Sequence, residues 1–339
     1  MFPMRWVPVT VLSVACSGAT GGASEEGDIP VVVVSKPTSL VGTLGEACQR
    51  FYERWPDDYE TLVLWGSPGT FGGFLHLPVR NGTVDRALVE PPELSGRPEE
   101  VHTTAGLVSI PARRLAGVVW MGSTWPSLPD HGPRRATLGV LAHETAHRWG
   151  ARLGFRNRAG ERDDRLLRRD HQHWSYLLAG GSSPLGGNEW TPAGGRRFRA
   201  GAWSEIRYSP LDLYLMGLVD SHDVAPLHLL TNVRSSLCDS DEDCAETLHS
   251  ESEIVVEAGV ESIVIEQVDG VPSSVLQSDL RRLRLHRQAW AYVVVAHETP
   301  DPSQLSRLSA LRAPWEQTFH MATGRRGSLI TGPRHGASP

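Results

Sequence analysis

Apolar residues recur along the chain at two spacings, and these spacings predict a mixed sheet with at least one helix against it. Short apolar runs bounded by glycine or proline are typical of buried strands. Runs of this kind occupy positions 29–34, 60–66, 72–79 and 115–122. Between the first two runs, residues 39–59 space their apolar side chains as a helix does. The first part of the chain therefore predicts several strands and a helix that packs on them.

The next segment, residues 134–155, predicts a half-buried helix that turns one polar stripe toward a cleft. The residues at helical spacing on its buried side are Leu138, Leu141, Ala142, Thr145, Ala146 and Trp149. Beyond this helix, residues 156–207 are rich in glycine and arginine and contain few periodic segments. We expect long loops there that cover or line a site.

The remaining chain alternates between helix and strand patterns. Ser209, Pro210 and Asp212 predict the start of a short helix, because serine can cap, proline suits the first helical position and the aspartate completes an S-x-x-D box. Further strands are expected over 252–268 and 289–296, and further helices over 273–288 and 301–324. The whole pattern predicts an α+β fold, with a mixed sheet, a helix that carries the polar stripe and a loop-rich lower subdomain.

Residues 1–27 are predicted to be an export signal followed by a flexible tether. The apolar run at 6–15 is too short to span a bilayer, and a segment rich in glycine, serine and acidic residues follows it. Cys16 lies in a sequence that loosely resembles a bacterial lipoprotein box, with Ser13 where such boxes usually have leucine. Two outcomes stay open: lipidation of Cys16, which would tether the protein to a membrane, or simple cleavage and release. Both place the folded part outside the cytoplasm, in the cell envelope or the extracellular space of a bacterium.

Residues 28–335 are predicted to form one domain, since they contain no linker long enough to require a second. We divide this domain into an upper part, 28–155, and a lower part, 156–335. Its composition, 40% hydrophobic and 21% charged, is that of an ordinary globular protein. The net charge of -6 provides no basic field, so we expect no nucleic-acid partner. The sequence leaves the oligomeric state open.

Two cysteines in the lower part predict a disulfide. In an oxidising compartment, Cys238 and Cys244 are expected to pair and to close a small loop. The acidic residues between them do not match a calcium-binding EF-hand loop, because the central glycine is missing. We interpret this segment as a solvated acidic hairpin. Cys48 lies in a helix-like segment and is expected to be buried as a small hydrophobic residue.

The helix predicted over 134–155 carries the main chemical signal. His143 and His147 are four residues apart, so they project from one helix face and can bind one ion at about 2.0 to 2.1 Å. Glu144 lies one step round the helix, a position that suits a general base acting on a metal-activated water. This HExxH pattern predicts Zn2+ as the cofactor.

A catalytic zinc needs a third protein ligand, and the sequence leaves its identity open. Leu153 stands where the longer HExxHxxGxxH motif supplies its third histidine. His173 is favoured, because histidine is the commonest metal ligand and the neighbouring Trp174 can exclude water. His171 can serve as the ligand instead, or support the site as a hydrogen-bond donor. The competing carboxylates are Glu189, Glu205, Asp163, Asp164 and Asp170.

Several short segments, taken as a set, resemble the zincin metallopeptidases, particularly the metzincins with their methionine turn. The same set resembles uncharacterised secreted bacterial proteins, and the similarity covers most of the chain after about residue 70. The segments are HExxHRW at 143–149, HWS at 173–175, GNEW at 187–190, YSPLDLYLMG at 208–217 and the stretch at 315–329. Leu153 departs from the metzincin motif, so the family does not assign the third ligand.

The resemblance implies a zincin-like fold and a zinc-dependent endopeptidase that hydrolyses protein or peptide substrates. It also implies that the substrate lies along an edge strand, for which residues 117–125 are our candidate. A side-chain donor would stabilise the oxyanion of the transition state, and the candidates are Tyr208, Tyr176 and His171. Met216 corresponds to the methionine turn, although a methionine taken alone is more often an ordinary core residue than a turn beneath a metal.

Two other functions stay open. A zincin fold that has lost activity can serve as a surface-binding module, and a structural zinc site would be closed by four protein ligands. Glu144 argues against both, because neither needs a base beside the metal.

Overall fold

The computed structural model describes residues 29–35, 39–80, 83–84, 112–131, 136–150, 153–181, 183–249, 253–268 and 284–333. Within these ranges the protein is a mixed α/β structure with several sheets and five α-helices. Mixed helix and sheet content was predicted and is confirmed. The export segment with Cys16 lies outside the described residues, and so do residues 273–283 of a predicted helix.

The elements are numbered here in chain order. The strands are β1 (Val31–Val34), β2 (Thr61–Gly66), β3 (Leu75–Arg80), β4 (Thr83–Val84), β5 (Gly117–Trp120), β6 (Phe155–Arg156), β7 (Arg162–Asp163), β8 (Trp174–Ala179), β9 (Gly186–Asn188), β10 (Thr191–Pro192), β11 (Arg197–Ala200), β12 (Leu227–Arg234), β13 (Ile254–Ile263), β14 (Leu285–Val295) and β15 (Ser328–Gly332). The helices are α1 (Leu40–Tyr52), α2 (Thr137–Ala146), α3 (Pro210–Leu215), α4 (Asp241–Thr247) and α5 (Pro302–Ala322). Within the described ranges, no helix has the length and apolar character that crossing a membrane requires.

The first sheet has the strand order β1-β14-β2-β5-β3-β4, and β15 also pairs with β14. Strands β1, β14, β2 and β5 run parallel, whereas β3 pairs antiparallel with β5. Both faces of this sheet are covered, as is usual for parallel strands. Val63 and Trp65 of β2 pack on the side that includes α2 and α5, and Leu62 and Leu64 pack on the side of α1. The sheet and α2 therefore share one hydrophobic core, and α2 contacts β3.

Strand β14 lies between β1 and β2, although it comes late in the chain. The last part of the chain therefore returns to the first sheet. The first sheet thus contains strands from both predicted parts, 28–155 and 156–335. The predicted helix at 273–288 is also wrong at its described end, because Leu285 to Gln288 belong to β14. Their burial alternates as in a strand, but the buried positions are the polar residues His286 and Gln288. The hydrophobic residues therefore do not follow the burial pattern, and the strand could not be recognised from them.

The second sheet has the order β10-β11-β13-β12-β8-β9, and four of its six strands lie in the region that was predicted to be loops. Residues 156–207 contain part of β6, and all of β7 to β11. These strands are two to six residues long, and glycines with positive φ, such as Gly186 at 128° and Gly187 at 71°, separate or bend them. Strands this short do not produce a clear period-two pattern in the sequence.

Strand β5 is not an edge strand, so the predicted substrate-binding edge at 117–125 is wrong. It pairs with β2 on one side and with β3 on the other. An apolar run identifies a buried strand but not its neighbours. Among the described residues, no strand pairs with the outer side of β3 at Leu75 to Leu77, and β3 contacts α2.

The segment between Cys238 and Cys244 is a short helix and not the expected acidic hairpin. The two cysteines form a disulfide, and α4 begins within the loop that it closes. The Ser240 side chain caps this helix by accepting from the Asp243 N–H, and three acidic residues occupy the first turn. Acidic side chains there are favourable because they face the positive end of the helix dipole.

Candidate metal centre

Helix α2 presents two histidines at its carboxyl end. His143 lies in the last turn, and His147 is the C-cap residue, whose N–H donates to the His143 carbonyl at 3.3 Å. Leu141 and Ala142 are fully buried and fix the opposite side of the helix against the core. Because the carboxyl end of a helix carries partial negative charge, a cation is favoured at this position.

A third histidine from a distant segment completes a cluster, which we call the histidine cluster (His143, His147 and His173). The Nε2 atom of His143 lies 3.1 Å from Nε2 of His147 and 3.1 Å from Nε2 of His173. A tetrahedral ion with bonds of about 2.0 to 2.1 Å would space its ligand nitrogens about 3.3 to 3.4 Å apart. The histidine cluster can therefore hold a metal ion.

Partners on the other nitrogen orient the imidazole rings of His143 and His173. The Nδ1–H group of His143 donates to the Pro184 carbonyl at 2.7 Å, and that of His173 donates to the Asp170 carboxylate at 2.6 Å. Each bond places the proton on Nδ1 and leaves a lone pair on Nε2. Two facing lone pairs at 3.1 Å repel each other unless a cation or a proton lies between them. This donor set therefore fits a divalent cation.

Asp170 shapes the turn that delivers His173. Its Oδ1 atom accepts from the backbone N–H groups of Gln172, at 2.9 Å, and His173, at 3.1 Å. Although partial burial opposes ionisation, hydrogen bonds from the His173 ring and the Gln172 N–H lower the pKa of Asp170 to about 2. His171, at the centre of the turn, has a φ of 52°, so this segment is not an extended strand. His171 is not among the three residues of the histidine cluster.

Glu144 lies next to the histidine cluster and is only 5% exposed. Burial raises the pKa of its carboxyl group to about 8. A divalent cation in the cluster would oppose that shift, because a nearby positive charge favours the carboxylate form. The side chain is thus placed to exchange a proton with a molecule bound at the cluster.

A cavity of about 280 Å³ opens beside the histidine cluster, and we call it the metal cavity. His143, Glu144 and His173 form part of its wall. Its other walls include Phe74, Val140, Arg168, Tyr176, Leu185 and His249. The cluster is therefore accessible to a ligand or a substrate on the side where Glu144 lies.

The three candidate oxyanion donors lie in different places. Tyr176 lines the metal cavity, where its ring stacks against the Arg168 guanidinium at 5.2 Å. Tyr208 is 1% exposed, and its hydroxyl donates to the Ala142 carbonyl at 3.2 Å. Burial and the charge of Asp212 raise the pKa of Tyr208 above its usual range. His171 is not part of the cavity wall. Of the three, the geometry brings only Tyr176 to the metal cavity.

The competing carboxylates do not reach the histidine cluster as ligands. Glu189 and Glu205 are exposed and lie near Arg207 in a separate groove. Asp163 and Asp164 pair with Arg165 and Arg162, respectively. The Asp170 carboxylate accepts from Nδ1 of the His173 ring, whereas Nε2 of that ring faces the cluster.

Sequence reasoning missed the groups that orient the ligands. Asp170 was considered only as a ligand, although its position three residues before His173 is the signal for a side chain that accepts from that ring. The Pro184 carbonyl had no signal at all, because backbone atoms are the same at every position. Arg168 and His249 were also missed, since only the fold brings them to the metal cavity.

No protein-family model, curated protein or solved structure matches the chain. The chemistry of the site therefore follows from its own geometry: three imidazole nitrogens directed at one point, a buried carboxyl group beside them, and an open cavity. These groups can bind a cation, admit a small molecule or a chain segment next to it, and move a proton there.

Proposed function

We propose that the protein is a zinc-dependent endopeptidase with Glu144 as its general base. The observation that carries this proposal is the position of Glu144, which lines the same open cavity as two residues of the histidine cluster. A cluster with only a structural role has no use for a buried carboxyl group at its accessible side. A zincin-like fold is part of this proposal, supported by the HExxH helix lying on a mostly parallel sheet with one antiparallel strand beside it.

Zinc is the cation that this donor set favours. Three histidines with an open fourth position are typical of catalytic zinc, whereas structural zinc is usually closed by four protein ligands. In the described part of the chain, the cluster around His143 contains three ligand residues, and a cavity takes up one side of it. This arrangement supports a catalytic ion over a structural one.

The side chains around the cluster can then carry out peptide hydrolysis. A bound zinc ion would polarise the scissile carbonyl and acidify the attacking water. The Glu144 carboxylate would accept a proton from that water and pass it to the nitrogen of the leaving amine. Tyr176, which lines the metal cavity, is our candidate for the hydrogen-bond donor to the oxyanion.

The outer side of β3 is the proposed docking edge for the substrate. Phe74, directly before β3, lines the metal cavity, and Leu75 to Leu77 pair with β5 but with no other strand of the described residues. An extended peptide can add to such an edge through backbone hydrogen bonds. We therefore propose an unstructured protein or a peptide as the substrate. Export, and lipidation of Cys16, remain proposals that rest on residues outside the described ranges.

Hydrolysis by matched variants tests the proposal. Wild type and Glu144→Gln are loaded to equal zinc content, and cleavage of an unfolded protein is followed by mass spectrometry. We expect Glu144→Gln to keep the metal and the fold but to lose cleavage by orders of magnitude, because the variant removes the base and leaves the ligands. Equal cleavage by both proteins would disprove the role of Glu144. Zinc binding without cleavage by wild type would favour the inactive surface-binding module.

A further inference from the structure

Asp212 is a carboxylate buried near the metal centre, and it does more than cap a helix. It is the third residue of α3 and only 2% exposed. Its Oδ2 atom accepts from the N–H of Ser209 at 2.8 Å and from the Ser209 hydroxyl at 2.7 Å. The Ser209 hydroxyl in turn accepts from the Asp212 N–H at 3.1 Å, which completes the predicted capping box. One carboxylate oxygen is thereby used for the cap.

The other bonds of Asp212 lead to the segment that carries His173 and to the segment that orients His143. Its Oδ1 atom accepts from the Trp174 indole Nε1–H at 2.9 Å, and the Ser183 side chain also hydrogen-bonds to the carboxylate. Trp174 directly follows His173, and Ser183 directly precedes Pro184, whose carbonyl accepts from His143. Asp212 thus binds the residue next to the ligand His173 on one segment. On the other segment it binds the residue next to Pro184, the partner of the ligand His143.

A second helix in the same chain shows what capping alone requires. Helix α4 has a serine at its N-cap, Ser240, and an aspartate at the same third position, Asp243. Asp243 is half-buried, and its Oδ2 accepts from the nearby Asp239 N–H at 3.1 Å. Asp212, in contrast, is fully buried, and burial raises its pKa while its donors, an indole, two hydroxyls and a backbone N–H, are all neutral. Burying a carboxylate among neutral donors is unfavourable, so a capping role does not account for it.

The end of α2 packs closely on the same carboxylate. A Cβ atom added at Gly150 would lie 2.8 Å from the Leu185 Cδ1 atom and 3.4 Å from Oδ1 of Asp212. The segment that follows His147 therefore lies against Asp212 and Leu185 without a side chain between them. Both segments that carry the histidine cluster, and the segment at Ser183 and Pro184 that orients His143, therefore meet at this carboxylate.

We propose that Asp212 is a positioning residue of the metal centre, which holds the Trp174 and Ser183 segments so that His173 and His143 face one ion. This inference rests on the metal site of the proposed function but not on its peptidase activity. Residues that orient metal ligands typically change metal affinity by 10 to 100-fold when they are replaced. Asp212 acts one step further away, through Trp174 and Ser183, and it affects two ligands at once.

Zinc affinity of matched variants tests the inference. The full chain is prepared as wild type, Asp212→Asn, Trp174→Phe and the control Asp243→Asn, and zinc is titrated against a chromophoric chelator. We expect about 10 to 100-fold weaker binding for Asp212→Asn and about 10-fold weaker binding for Trp174→Phe, which removes only the indole donor. Asp243→Asn should bind zinc within about twofold of wild type. The visible spectrum of the cobalt-loaded proteins should change for the first two variants and not for the control.

The outcomes separate this inference from the proposed function. Wild-type zinc affinity and cobalt spectra in both Asp212→Asn and Trp174→Phe would overturn the inference, even if the protein is a peptidase. If Asp212→Asn does not fold without metal, Trp174→Phe decides by the same two readouts. Weakened binding in both variants, with no peptide cleavage by wild type, would support the inference and reject the peptidase. Absence of zinc binding by wild type would reject both.

Discussion

Helix α2 and the turn at residues 168–173 both supply histidine nitrogens to the candidate metal centre, but they hold them by different means. In α2, backbone hydrogen bonds and the spacing of four residues bring His143 and His147 to one face. In the turn, the side chain of Asp170 binds two backbone N–H groups and the ring of His173. A helix face follows from local spacing alone, whereas the turn depends on particular side-chain partners. The comparison predicts that removing a ligand from either region weakens zinc binding equally. Replacing a side chain that supports a ligand should weaken zinc binding more in the turn than in α2.

The largest expected effect comes from removing a ligand from either region. His147→Ala and His173→Ala should both weaken zinc binding by more than about 100-fold, because each leaves two ligands where three are needed. Zinc titration of the two variants and of wild type measures this. Glu189→Ala and Glu205→Ala are the controls, and both should bind zinc as wild type does. If His173→Ala binds zinc tightly and one glutamate variant does not, that glutamate and not His173 is the third ligand.

The tyrosine that lines the metal cavity, Tyr176, provides the next test. Tyr176→Phe removes the hydroxyl group of a residue that lines the metal cavity. We expect kcat to fall by about 100-fold or more, as it does when an oxyanion donor is removed. Zinc affinity should remain unchanged, so steady-state kinetics at equal zinc content isolates the effect. An unchanged kcat would show that Tyr176 is a packing residue and that the donor lies elsewhere.

Asp170→Asn is expected to weaken zinc binding by about 10 to 100-fold. An amide group at this position can present a donor to His173 Nδ1, which would move the ring proton to Nε2 and remove the lone pair needed for the metal. Competition titration measures the loss. If affinity stays within twofold of wild type, the turn holds His173 without this carboxylate, and the contrast between turn and helix is weaker than we describe.

The smallest effect is expected from Tyr208→Phe. The Tyr208 hydroxyl donates to the Ala142 carbonyl of α2, so its removal should lower the free energy of unfolding by about 1 kcal/mol. Chemical denaturation of the zinc-free protein measures this change. Peptide cleavage should be preserved, and a large loss of kcat at unchanged stability would restore Tyr208 as the oxyanion donor.

The same contrast explains which parts of the site sequence reasoning could find. Helical spacing is enough to place His143, Glu144 and His147 together, and the capping box of Ser209 and Asp212 is equally local. His173 was favoured among several residues. The chain between the two regions has no regular spacing that shows which downstream residue returns to α2.

The groups that hold the ligands came from tertiary structure. The Pro184 carbonyl is a backbone atom without a sequence signal, and the additional bonds of Asp212 join residues up to 38 positions apart.

The fold shows the same division between local and distant information. Helices α1, α2, α3 and α5 lie within their predicted segments, because each has a repeating apolar face or a capping motif. The position of β14 inside the first sheet was not predictable from its own residues. Several distant segments can pair with the same strand edge, and a single sequence does not show which of them does so.

The most direct test of the histidine cluster is the structure of zinc-loaded crystals, with anomalous diffraction recorded on both sides of the zinc absorption edge. The account predicts one ion within about 2.0 to 2.1 Å of the Nε2 atoms of His143, His147 and His173, with its fourth position open to the metal cavity. A zinc ion bound by Glu189 or Glu205 in place of His173, or one closed off by a fourth protein ligand, would contradict the account.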